Sequence, residues 1–109
     1  MDDVLSRAAD LGKAVRATAP FLALRAAEAA VMKDADTVQL AGALSALQQK
    51  QAALAREGKP LPDAEKASLE KILAAAAADP RLQALSKAQA EFQALLDSVS
   101  RAMRDQLKP

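Results

Sequence analysis

The side chains that most often carry out chemistry are largely missing from this chain. Its 109 residues include no cysteine, no histidine, no tryptophan and no tyrosine. Without His and Cys there is no zinc site of the usual kind, no cysteine-held iron–sulfur cluster and no thiol nucleophile. Neither a Ser-His-Asp triad nor a Cys-His pair can be assembled. The Glu-x-x-His pairs of a ferritin-like di-iron bundle are excluded as well. Carboxylates remain, among them Asp10, Glu28, Asp63, Glu65, Glu70, Asp79, Glu91, Asp97 and Asp105. Two of them working as acid and base would need apolar surroundings that move their pKa values apart. They are scattered, and nothing places two together on an apolar face, so they read as solvated helix surface. Asp97 and Arg101 stand in the favourable i,i+4 order, a contact of small value. Gly58-Lys59-Pro60 is not a phosphate loop, which needs two glycines and a Ser or Thr after the lysine. The expectation is a non-enzymatic protein with no metal and no cofactor.

Residues suited to binding are easier to find. Gln48-Gln49-Lys50-Gln51 is the most polar stretch of an otherwise striped helix. Glutamine can bond across an interface without desolvating a charge, although the stretch reads first as an exposed face near a helix end. Gln51 falls on the leucine stripe, where a buried amide would need a partner. Phe92, Leu96, Val99 and Met103 continue a steady apolar stripe near the C-terminus. It reads first as core, and its length leaves room for an overhang that docks onto another subunit. These six residues, Phe92, Leu96, Val99, Met103, Gln48 and Gln51, are the candidate interface. A net charge of +1 lacks the basic excess of a nucleic-acid binder. The absence of Tyr and Trp removes the usual stacking platforms for bases. Direct nucleic-acid binding is therefore not expected.

The elements that would position these residues are helical throughout. Glycine and proline punctuate the sequence, and no strand-like alternation occurs. Helices are expected over Asp2–Thr18, Pro20–Lys33, Thr37–Glu57, Asp63–Ala78 and Pro80–Leu107, in a single domain spanning residues 1–109. The first carries Val4, Ala8, Leu11 and Val15 on one face. Thr18 suits an N-cap with Pro20 in the first turn, and the second stripe is Phe21, Leu24, Ala27 and Val31. Asp34-Ala35-Asp36 supplies the cap of the third helix, striped by Leu40, Leu44, Leu47 and Leu54. Gly58 fits the C′ position, and Lys59-Pro60-Leu61-Pro62 cannot continue a helix, so the chain reverses there into a hairpin. The fourth helix turns Leu69, Ile72, Leu73 and Ala76 inward. Asp79-Pro80 repeats the cap-and-proline device of Thr18 to Pro20. The last helix would reach about 40 Å at 1.5 Å per residue.

Hydrophobic residues make up 51% of the chain, but 29 of them are alanine and only 27 are large. Alanine favours helix and buries little surface. The core should be thin. Either the helices pack closely along alanine seams or part of the apolar surface is buried against another chain. A GC-rich genome accounts for the alanine just as well.

Three segments together resemble a known family. Val4-Leu-Ser-Arg-Ala-Ala-Asp-Leu-Gly-Lys-Ala-Val is similar to the opening helix of YlbF/YmcA proteins. Gln48-Gln-Lys-Gln through Arg56-Glu-Gly-Lys-Pro-Leu-Pro is similar to their glutamine-rich helix and the turn that ends it. Asp79-Pro-Arg-Leu through Phe92-Gln-Ala-Leu-Leu-Asp-Ser-Val is similar to their long last helix. Order and spacing agree over nearly the whole chain. The resemblance implies a small bacterial regulatory protein that assembles with related helical proteins. It also implies a link to RNA processing, competence, sporulation and biofilm formation. Some members are associated with iron–sulfur clusters, a property that a chain without cysteine does not carry on its own residues.

The expected fold is therefore all-α: about five helices, an antiparallel helical hairpin or bundle with a long C-terminal helix. The expected function is that of a cytoplasmic regulatory adaptor acting through helix-mediated protein–protein interaction. The alternative is a self-assembling structural bundle without a regulatory partner. The expected partners are proteins: related family members, an RNA-processing complex, or further copies in a dimer or tetramer. The start of the chain shows no signal peptide, and the longest apolar run, Ile72 to Ala78, is too short to span a bilayer, so no membrane insertion is expected.

Overall fold

The computed structural model describes residues 2–109. Among them the chain forms five α-helices and no strand: α1 (Asp2–Arg16), α2 (Ala19–Met32), α3 (Ala35–Arg56), α4 (Asp63–Ala78) and α5 (Pro80–Asp105). The helix ends fall within two residues of those read from the sequence. The largest differences are of two residues, at the ends of α1 and α5 and at the start of α3, where Asp34 of the Asp34–Asp36 segment provides the cap.

The helix boundaries follow from named side chains. Asp2 and Asp3 place negative charge at the start of α1, and Lys13 and Arg16 place positive charge at its end. The hydroxyl of Thr18 accepts from Phe21 N at 3.4 Å and donates to the Val15 carbonyl at 2.6 Å. One side chain thus caps α2 and takes up a carbonyl from the end of α1. Asp34 Oδ1 accepts from Thr37 N at 3.0 Å and caps α3. Asp79 Oδ1 accepts from Arg81 N at 2.9 Å and Leu82 N at 3.4 Å, and caps α5. At the end of α3, Gly58 has φ +74°. Lys59 N donates to the Leu54 carbonyl at 2.9 Å and Gly58 N to that of Ala55 at 3.0 Å. This is a Schellman motif, and its left-handed C′ position favours glycine. Gly58→Ala is expected to cost about 1 kcal/mol, because a Cβ is disfavoured at that φ even though the space around it is open. Thermal unfolding followed by circular dichroism would show it as a lower midpoint.

The helices divide into two compact units. One comprises the chain up to Ala29 together with everything from Leu85 onward; the other is the continuous stretch Ala30–Ala84. The second unit is an antiparallel hairpin of α3 and α4, whose backbones bring Cα atoms within 8 Å of each other. Lys50 Nζ meets Glu65 Oε1 at 2.5 Å near the turn, and Thr37 Oγ1 donates to Asp79 Oδ2 at 2.9 Å at the open end. Leu40, Ala41, Leu44, Leu47 and Leu54 of α3 are half-buried, as are Ile72 and Ala76 of α4, while Leu69 is buried. Leu61, in the turn, is buried too. Leu73, expected inward, is 44% exposed. It lies one position past the face formed by Glu65, Leu69, Ile72 and Ala76, and a helix turns 100° per residue.

In the first unit, the rings of Phe21 and Phe92 meet with centroids 5.7 Å apart and planes tilted by 58°. That is a favourable edge-on arrangement. The guanidinium of Arg25 lies 5.9 Å from the Phe21 centroid. Ala88 is buried, and Leu85, Leu95, Leu96 and Val99 are half-buried. The stripe of α5 is thus largely covered up to Val99 and open beyond it.

Candidate protein-interaction surfaces

Each unit carries features suited to recognition. In the first, α1 has an apolar stripe but no buried residue. Val4 is 64% exposed and Leu5 61%, and only Val15 reaches intermediate burial. The end of α5 and the turn after it are similar, with Met103 at 58% and Leu107 at 82%. An amphipathic helix gains stability by burying its apolar face, and these faces are uncovered. The structure divides the stripe named from the sequence. Phe92 is engaged by Phe21, Leu96 and Val99 are half-buried, and Met103 faces solvent. Nothing in the sequence marks Val4, Leu5 and Leu107 as exposed. Their spacing was legible, but whether a stripe has a partner within its own chain is not encoded in its spacing.

In the second unit, Gln48 and Gln51 are both exposed. The amide of Gln51 stays in water, which meets its hydrogen-bonding needs without a buried partner. The α3 stripe therefore steps from Leu47 to Leu54. Asp97, back in the first unit, accepts from Gln93 Nε2 at 3.0 Å rather than from Arg101.

The most connected polar group lies at the open end of the hairpin. Thr37 is only 2% exposed, and its hydroxyl joins the cap of α5 to the first turn of α3. Arg81 Nη1 reaches Asp34 Oδ2 at 3.0 Å. Two helix caps, Asp34 and Asp79, are thereby cross-connected through Thr37 and Arg81. The backbone N–H of Thr37, helped by the Arg81 guanidinium, holds the Asp34 carboxyl below its ordinary value of 3.8. A depressed folded-state pKa adds stability above the ordinary value, and that stability disappears as pH falls through the lower one. Urea titrations at successive pH values should therefore show part of the acid destabilisation setting in below about pH 3.8. Asp34→Asn, which keeps an acceptor but loses the charge, should flatten that part of the profile.

Among the described residues, no group of three or more carboxylates is placed to hold a metal ion. Among those same residues, no helix is long and apolar enough to cross a membrane. What the structure offers is helical surface.

A model of the family described as control of competence regulator ComK, YlbF/YmcA, matches residues 4–108. The chain belongs to the YlbF/YmcA family. Two solved structures share the fold of this YlbF/YmcA chain. One is a protein of unknown function (DUF964) from Bacillus stearothermophilus, with a TM-score of 0.80 and 20% identity, covering 96% of this chain and 92% of that one. The other is RicA of Bacillus subtilis, solved in complex with RicF, with a TM-score of 0.74 and 18% identity, covering 97% of each chain. At such identities the likeness is one of fold. No curated protein matches the chain in sequence.

Proposed function

We propose that this YlbF/YmcA chain is a non-enzymatic regulatory adaptor of the cell interior, which works by docking its helices onto other proteins and onto copies of itself. The observation that carries the reading is the family match over residues 4–108, to a family described by its control of a competence regulator. The uncovered apolar residues of α1 and of the end of α5 support it, because such faces mark sites of association. So does the complex in which RicA, a protein of the same fold, was solved. In its finer form the partner is a second family member, and the assembly acts on an RNA-processing enzyme.

The test is affinity purification of the tagged protein from its native cell, with mass spectrometry of what accompanies it. Recovery of a second YlbF/YmcA chain or an RNA-processing enzyme is the expected result. Recovery of the untagged protein alone would favour a self-assembling bundle. Recovery of neither would overturn both readings.

A further inference from the structure

Helix α1 is uncovered along the face that holds Val4, Leu5, Ala8 and Gly12. Leu5 is 61% exposed, and nothing lies within 4 Å of where a Cβ on Gly12 would stand. Glycine in the interior of an exposed helix is less stable than alanine. No neighbour among the described residues requires it. The helix is also charged oppositely at its two ends, with Asp2 in its first turn and Arg16 in its last.

The centres of these features lie within half a residue of each other. A knob at Leu5 and a hole at Gly12 are symmetric about a point between Ala8 and Ala9. Asp2 and Arg16 are symmetric about Ala9, and on a helical wheel both lie on the Leu5 side of the uncovered face. The residues at the centre are alanines, which let two helix axes approach. A helix with this pattern is complementary to its own reversed copy. We propose that α1 pairs with α1 of a second copy of this chain, antiparallel about a two-fold axis beside Ala8. Each Leu5 then sits over the partner copy's glycine, each Asp2 lies beside the opposite arginine, and the helix dipoles oppose. A parallel pair would set Asp2 against Asp2 and Leu5 against Leu5. One 15-residue helix from each copy makes a small interface, so the dimer is in the micromolar range. This inference rests on the self-association in the function proposed above, and on no other part of it.

The test uses the full chain in sedimentation equilibrium. The wild type is expected to dimerise. Asp2→Lys or Arg16→Glu alone should weaken the dimer about tenfold, by turning two symmetric attractions into repulsions. The double variant should recover it. Any damage to α1 itself, through reversed charges at its ends, would accumulate in the double variant instead. Because the chain has no cysteine, single thiols give a clean second measurement. Ala8→Cys should oxidise to an interchain disulfide. Val4→Cys should not, because its two copies would stand about 14 Å apart along the axis. A dimer indifferent to the charge changes, with Ala8→Cys left as a free thiol, would overturn the α1 pairing and leave self-association through another surface. A monomer throughout the micromolar range would overturn both.

Discussion

Leu69→Ala is expected to destabilise the protein by about 3 kcal/mol, the usual loss for a leucine removed from a packed interior. Leu69 is 7% exposed and is one of four buried apolar residues among those described, with Val31, Leu61 and Ala88. It shares a face of α4 with Glu65, which reaches Lys50 across the hairpin, so it fills the space between α3 and α4. With so few large buried side chains, no neighbour is placed to replace it. Urea unfolding should show a lower midpoint at an unchanged slope, and the thermal midpoint should fall by roughly 15 °C. Leu73→Ala is the internal comparison. At 44% exposure it should cost less than about 1 kcal/mol. Equal losses at the two sites would mean that α4 presents a different face to α3.

Asp79→Ala is expected to have the next largest effect, about 2 kcal/mol. Part is the loss of the N-cap of α5, typically about 1 kcal/mol. The rest comes from Thr37, whose buried hydroxyl would lose its acceptor. Thr37→Val should cost about 1 kcal/mol, since it removes the donor but keeps the cap. The two changes remove the same bond, so the double variant should lose less than their sum. A coupling of about 1 kcal/mol is expected from the cycle. Strict additivity would mean that the Thr37–Asp79 bond contributes nothing and that Asp79 acts only as a cap.

Much of the fold is legible because its punctuation is chemical and local. Thr18, Asp34, Gly58 and Asp79 each act within three to five residues, so their roles can be assigned from neighbours alone. The stripes of α2 and of α5 up to Val99 are legible for the same reason, since 3.6-residue periodicity reports a buried face. Three features were not legible. The bond from Thr37 to Asp79 joins residues 42 apart, and a threonine in a first helical turn gives no sign of it. Gln51 looks like part of a stripe because periodicity ignores whether a side chain can be satisfied when buried. The stripe of α1 looks like those of α2 and α5, yet it is open. Periodicity says that a face is apolar, and the partner that covers it can belong to another molecule.

The connectivity of the two units also sets an order of events during synthesis. The polar contacts that cross the α3–α4 unit join residues 15 to 47 apart within one continuous stretch. Its loop is short to close, and its residues leave the ribosome together. The other unit is split, and Phe21 finds its ring partner only after Phe92 has been made. Until then α1 and the start of α2 are translated but unmatched, with Val15, Phe21 and Leu24, half-buried in the finished fold, still open to water. The nascent chain thus passes through a stage in which a finished hairpin trails a sticky N-terminal arm. That interval is when chaperones, proteases and neighbouring nascent chains have the most to hold.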